Sequence, residues 1–312
     1  MSLWLIGAGS MAQDYARVLQ GIDLPFEVIG RGADSADKFE KATGKSVRIG
    51  GLADALRLGG APEKAIVAVG VEQLALTTAD LIRAGVKRIM VEKPAGLDLA
   101  EIESLNRIAE ENESSVLIAY NRRFYGSVQQ ARQCIVEDGG VLSAQFEFTE
   151  RSHVIAPLVK GAGVKEHWLL GNSTHVIDLA FHLIGRPVDW KCWRAGSIDW
   201  HPAAARFVGA GITEQSVMFS YLADWQAPGG WGIELLTAKR RLILRPIEQL
   251  QVTRLGTVKI EAMEPLDNID QDSKPGLYRQ TKAFLEGNDY LFCTLPEQVE
   301  NVRIYSEMAG YQ

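Results

Sequence analysis

The chain has 312 residues, 46% hydrophobic and 23% charged, with a net charge of −6. That length suits two domains or one large one, with enough apolar residues for a sizeable core. The negative balance argues against nucleic acid or an anionic membrane surface as the main partner, while leaving room for a local basic pocket that takes phosphate.

The first strand, Leu3–Ile6, breaks at Gly7-Ala8-Gly9-Ser10-Met11-Ala12 and is followed by a helical stripe of Met11, Tyr15, Val18 and Leu19. Strand, tight turn and helix in this order form a candidate dinucleotide site. Gly7 allows the turn, Gly9 lets a pyrophosphate approach the backbone, and Ala12 is small enough for close helix–strand packing. The opening apolar run is too short and lacks the basic flank of a signal peptide. No apolar stretch reaches the about 20 residues that span a bilayer. Cys134, Cys192 and Cys293 are scattered, without a CxxC, so a disulfide framework or zinc knuckle is not indicated. A reducing cytoplasm is the expected location.

Further strands are expected at Pro25–Ile29, Ser46–Ile49, Ala65–Val69, Lys87–Val91 and Val116–Ala119, with helices at Leu74–Ala84 and Leu99–Asn112. Alternation of strands and helices predicts a parallel, doubly wound sheet with ligands at the carboxyl ends of its strands. The glycine turn, Arg31, Gly70, Glu92-Lys93 and Tyr120-Asn121 all fall at such ends. The strand before Gly30-Arg31-Gly32 carries no terminal Asp or Glu to receive a ribose 2′-hydroxyl. Arg31 instead offers a planar donor fork suited to a 2′-phosphate, with Ser35 close by, so NADP is expected ahead of NAD; Asp34 and Asp37 remain candidates for a ribose.

After residue 120 the pattern changes. Helices are expected at Ser127–Glu137, His167–Ile184, Leu277–Glu286 and Pro296–Met308. Strands at Val141–Phe148, Trp190–Ala195, Glu214–Leu222, Trp231–Thr237, Arg241–Arg245 and Leu250–Val252 are separated by turns, which predicts an antiparallel sheet. The expected organisation is a Rossmann domain over 1–120 and an α+β domain over 121–312. Six of the seven tryptophans lie in the second half; sheet packing, sugar stacking and a subunit interface all use such residues.

Two groups carry candidate chemistry. Pro94 cannot extend a sheet ladder, so Lys93 turns out at its strand end. There its ammonium reaches a nicotinamide and a substrate hydroxyl, or simply pairs with Glu92 on the surface. His175, Asp178 and His182 share one face of an otherwise apolar helix. That spacing fits a zinc set, a buried structural pair, or a general acid/base His whose tautomer Asp178 sets. With no cysteine or further carboxylate nearby, no metal is expected. His153, His167 and His201 have no partners at motif spacing.

This order of motifs resembles the Gfo/Idh/MocA oxidoreductases, relatives of glucose–fructose oxidoreductase and inositol dehydrogenase. The likeness rests on Gly7–Ala12, Glu92-Lys93-Pro94, Asn121-Arg122-Arg123-Phe124, His175-x-x-Asp178 and the closing helix with Gly276-Leu277-Tyr278-Arg279-Gln280. It implies a Rossmann domain, a C-terminal domain on an open, mostly antiparallel sheet, and NAD(P)-dependent hydride transfer at a sugar or cyclitol carbinol. Lys93 is then the catalytic lysine, and His175 is the motif histidine because Gly185 falls at the helix-ending glycine. The resemblance places Gly70, Glu92, Lys93 and Asn121 beside the cofactor. Tyr120, Arg122, Asn172, His175 and His182 are placed beside the substrate. It also implies a homodimer or homotetramer built through the C-terminal sheet. Two positions depart from the pattern. Gly171 stands where an aspartate is usual, and Gly70-Val71 replaces a Thr-Pro pair, with Ala75 where a histidine follows. A dinucleotide-binding sensor without activity, and a reductase of an imine or tetrapyrrole, are the competing readings.

Overall fold

The computed structural model describes residues 2–311, which form two compact units, 2–120 with 277–300 and 121–276 with 301–311. In the first unit β1 (Leu3–Ile6) is buried along its whole length, as a central parallel strand must be. It leads to α1 (Ser10–Gly21), β2 (Glu27–Ile29), α2 (Ala33–Thr43), β3 (Val47–Arg48), α3 (Gly51–Gly59), β4 (Lys64–Val67), α4 (Leu74–Arg83), β5 (Arg88–Glu92), α5 (Leu99–Glu111) and β6 (Ser115–Ala119). Strands β1 to β6 pair in parallel in the order β6-β5-β4-β1-β2-β3, the doubly wound arrangement read from the alternating pattern. Helices α2 and α3 were not marked by their sequence. Only Ala36 and Phe39 of α2 are buried, and α3 begins and ends on glycine.

The second unit starts with α6 (Gly126–Asp138), β7 (Val141–Phe148), the short α7 (Ser152–Ile155) and α8 (Thr174–Ile184). A five-residue π-helical segment, Leu169–Ser173, leads directly into α8. Strands β8 (Pro187–Ala195), β9 (Arg206–Thr213), β10 (Met218–Asp224), β11 (Trp231–Thr237), β12 (Arg240–Leu244), β13 (Gln251–Arg254) and β14 (Glu261–Ala262) complete an open sheet ordered β14-β13-β12-β11-β7-β10-β9-β8. Every pair is antiparallel except β7–β10. One face buries Ala144, Phe146, Phe148, Phe219 and Tyr221, with Phe181 of α8 edge-on to Phe146. Glu214–Leu222, read as one strand, is in fact a turn at Glu214–Ser216 followed by β10, with β9 before it. The glycines of β9 hid that strand, and packing requires them. A Cβ at Gly209 would enter the Tyr221 ring, and one at Gly211 would strike the Asp189 carbonyl.

After α9 (Ile269–Asp272), the chain returns to the first unit through α10 (Leu277–Glu286), β15 (Cys293–Thr294) and the start of α11 (Leu295–Ala309). The segment 277–300 makes its contacts within the first unit. Strand β15 pairs antiparallel with β6 and covers that sheet edge. Arg88 on β5 holds Asp289 with bonds of 3.0 and 2.6 Å, and Lys64 on β4 donates to the Leu285 carbonyl at 2.7 Å. None of these pairs is visible as a local pattern. Among the described residues, no helix is long and apolar enough to cross a membrane.

Candidate active site

In the first unit the glycine turn has the shape its sequence requires. Gly7 has a φ of +122°, and a Cβ there would collide with the Ala68 carbonyl. Gly9 is the N-cap of α1 and gives it no side-chain cap, while nothing lies within 4 Å of where its Cβ would stand. The leading N–H groups of α1, with Ser10 and Met11 in its first turn, form the positive end of the helix dipole. Ala12 is fully buried where α1 packs on β1. Ala8 is half-buried beside Gly30. Arg31 is exposed two residues beyond β2, between buried Gly30 and Gly32, the N-cap of α2. The Ser35 hydroxyl donates to the Gly32 carbonyl at 3.0 Å. Gly70 is exposed beyond β4, at the start of a 3-10 turn.

Lys93 directly follows β5 and is half-buried, joined to Pro94 by a cis peptide bond. Both of its neighbours are fixed. Tyr15 of α1 donates to Glu92 Oε1 at 2.8 Å. Burial and the adjacent Glu92 charge push the Tyr15 hydroxyl well above its usual range, so it stays a donor. Fully buried Gln298 of α11 donates from Nε2 to the Pro94 carbonyl at 3.0 Å and to the Tyr120 hydroxyl at 3.1 Å. Tyr120, expected beside the substrate, is 1% exposed and braces this turn instead. Tyr15 and Gln298 were not found from the sequence, since one looks like helix core and the other lies on a distant closing helix.

In the second unit, Asn121 was expected beside a cofactor, but it is buried and donates to the Pro275 carbonyl at 3.0 Å. Asp178 was expected to orient His175. Its two oxygens receive Arg123 Nε at 2.8 Å and Nη2 at 2.6 Å, in a pair where each residue is 2% exposed. That bidentate geometry makes Asp178 a partner of Arg123 at the helix core. His175 lies on the first turn of α8, half-buried, with its ring 6.1 Å from that of Trp231. Arg122 stacks its guanidinium 4.7 Å over the same Trp231 ring.

Trp231 also lines a cavity of about 500 Å³, together with Glu150, Trp168, Asn172, Ile155 and Val154. Glu150, just beyond β7, is only 5% exposed. It accepts from Asn172 Nδ2 at 3.0 and 3.2 Å and from the Ser173 hydroxyl at 2.7 Å. Both donors sit in the π-helical segment, a kind of bulge that often marks functional positions. Glu150 was absent from the candidates because no motif spacing connects it to residues 172 and 173.

His182, a further expected substrate contact, faces a different environment. Burial and then the charges of Arg123 and Arg132 lower its pKa from 6.5 to about 3, and its buried Nε2 has no hydrogen-bond partner. It is therefore neutral when folded. The unfolded chain takes up a proton near pH 6.5 that the folded one refuses, so stability falls as pH drops below that value. The expected loss from this group is about 2 kcal/mol by pH 5. Urea midpoints for wild type and His182→Gln at pH 7 and pH 5 check this. A pH dependence unchanged by the substitution would remove His182 as its source.

No protein-family model matches the chain, and no curated protein matches it by sequence. Solved structures do match its fold. UDP-N-acetylglucosamine 3-dehydrogenase GnnA from Acidithiobacillus ferrooxidans is 17% identical, with a TM-score of 0.75, covering 100% of this chain and 97% of that one. The WlbA dehydrogenase from Bordetella pertussis, solved with NADH and UDP-GlcNAcA, is 15% identical at a TM-score of 0.75, over 100% and 96% of the two chains. An inositol dehydrogenase homologue from Azotobacter vinelandii, solved with NADH and myo-inositol, is 17% identical at 0.75, over 100% and 95%. All three carry the name of a dehydrogenase or of a dehydrogenase homologue. The likeness extends over the whole chain and shows that the fold is shared.

Proposed function

We propose that the chain is an NAD(P)-dependent oxidoreductase that moves a hydride between a nicotinamide and a carbinol or carbonyl carbon of a sugar, sugar derivative or cyclitol. The observation that carries this reading is the Lys93 turn. A lysine at a parallel-strand end has both chain neighbours fixed, in the unit that also holds an open glycine turn at a helix N-terminus. The structural neighbours solved with NADH, and with UDP-GlcNAcA or myo-inositol, support the same reading. Such a cofactor fits Gly7–Ala12, because the site of a Cβ on Gly9 is open and α1 has no side-chain cap.

When bound, the nicotinamide supplies the hydride acceptor or donor. Lys93 donates a hydrogen bond to the reacting oxygen. His175 takes the hydroxyl proton in oxidation and returns it in reduction. Asp178 supports His175 indirectly, by anchoring α8 to Arg123. The cavity walls of Trp168 and Trp231, with Asn172 and Arg122 near them, hold the substrate ring. Polyol-dependent reduction of NADP or NAD across sugars and cyclitols tests the function. Cofactor binding without turnover of any of them would favour the sensor reading.

For the cofactor we propose NADP, read by Arg31. A charge-assisted bond to the 2′-phosphate corresponds to roughly 10- to 150-fold in affinity. Calorimetric titration should show wild type preferring NADP(H) and Arg31→Ala losing that preference. Equal affinities in wild type would refute it. We also propose that a second copy of the chain covers the outer face of the large sheet. There Trp193, Val208 and Leu222 are register neighbours across β8, β9 and β10, and Trp193 is 62% exposed. Sedimentation should show an oligomer in wild type and a smaller species in Trp193→Glu; an unchanged mass would place the interface elsewhere.

A further inference from the structure

We infer that Tyr311 is a positioning residue for the cavity of the second unit: its hydroxyl, oriented by His201, caps the π-helical segment that carries Asn172 to the cavity wall. The inference builds on the proposed function only in taking that wall as a substrate site. Its basis is one backbone group. Leu169, the first residue of the segment, is fully buried, so its N–H needs a partner. In a regular helix that partner is the Lys165 carbonyl, which here receives the Trp168 N–H at 3.1 Å. The Leu169 N–H goes to the Tyr311 hydroxyl, at 3.2 Å. The Leu169 carbonyl receives the Thr174 N–H, which closes the π-helical turn. Leu169 is therefore held at both backbone groups, one by the segment itself and one by Tyr311.

The phenol that makes this bond is aimed from two sides. Tyr311 stands two residues beyond α11, and its N–H and that of Gly310 both bond the Ser306 carbonyl, at 3.0 and 2.8 Å. Gly310 turns the chain there with a φ of +79°. On the other side, fully buried His201 places Nδ1 2.6 Å from the Ala204 carbonyl and Nε2 2.7 Å from the Tyr311 hydroxyl. A carbonyl only accepts, so Nδ1 carries the ring proton and Nε2 accepts from the phenol. Each proton then has one place: Leu169 N–H on Tyr311, Tyr311 O–H on His201, His201 Nδ1–H on Ala204. Burial supports this arrangement by lowering the His201 pKa and raising that of Tyr311, so the ring is neutral and the phenol protonated. Trp225 and Trp200 pack 4.6 and 5.9 Å from the His201 ring, and Trp200 also meets Trp168 of the cavity wall at 5.8 Å. A π-helical turn is rare in its own right. The brace fixes the register at which Trp168 and Asn172 line the cavity.

The test compares wild type with Tyr311→Phe, which keeps the ring and removes only the hydroxyl, and with His201→Phe, which leaves the phenol without its acceptor. Readouts are amide hydrogen exchange by NMR and the positions of the Trp168 indole and Asn172 side-chain signals. The amide of Phe146, in β7 of the same unit, is the internal control. Tyr311→Phe should speed exchange at Leu169 roughly 10-fold, the scale of one lost hydrogen bond, with Phe146 unchanged. It should also move the Trp168 and Asn172 signals. His201→Phe should give a smaller acceleration at Leu169, because the phenol still accepts its N–H. Unchanged exchange at Leu169 in Tyr311→Phe would overturn the inference. So would acceleration shared equally by Phe146, which marks a loss of the whole unit's stability. Faster exchange at Leu169 with the Trp168 and Asn172 signals in place would overturn it too, since the cavity wall then does not depend on Tyr311. No cofactor or substrate enters the experiment, so the oxidoreductase reading can fail while this inference stands, and the reverse.

Discussion

Lys93→Ala should lower kcat by roughly 10²–10⁴-fold, the scale of a positioned proton-transfer or polarising group, while cofactor affinity stays within a few-fold of wild type. The expectation comes from how the turn is built. Glu92 is tied to α1 through Tyr15, and Pro94 to α11 through Gln298, so the lysine between them is aimed by two independent hydrogen bonds. Removing its ammonium leaves those bonds in place, so the fold should persist. Steady-state kinetics with a substrate found by the polyol screen, beside NADP(H) calorimetry, reads both quantities. Turnover near that of wild type would remove Lys93 from the mechanism.

The second large effect is on stability. Asp178→Ala should cost about 3–5 kcal/mol, because it leaves the Arg123 guanidinium buried without its counter-ion. Denaturant unfolding measures the loss. Replacing both partners by apolar residues of similar volume, Arg123→Met with Asp178→Leu, should recover much of it, since neither charge is then stranded. If Asp178 serves mainly to orient His175, the outcome differs: stability would hold and kcat alone would fall.

Much of the first unit was legible because its signals are local. A buried β1, a glycine turn that no side chain can replace at Gly7, and a helix stripe all lie within about twenty residues. The same holds for Lys93 before a proline, and for the antiparallel grammar of the second unit. What stayed hidden depends on partners far apart in the chain. Gln298 reaches Pro94 across 204 positions, and Asp178 finds Arg123 across 55. Spacing on one helix face linked Asp178 with His175, and nothing in that spacing announced the buried Arg123 that Asp178 binds. Glu150 was missed for a related reason. Its partners come from a π-helical segment, and the pattern of residues 167–184 reads as uninterrupted helix. Strand β9 was lost because the glycines that let Tyr221 and β8 approach weaken its strand signature.

Hydride transfer itself is tested most directly by isotope. A polyol deuterated at the reacting carbon is incubated with the protein and oxidised NADP, and the reduced nicotinamide is analysed by mass spectrometry. One deuterium per reduced cofactor, absent with Lys93→Ala on the same timescale, is the expected result. Reduced cofactor without deuterium, or no reduced cofactor with any sugar or cyclitol, would contradict it.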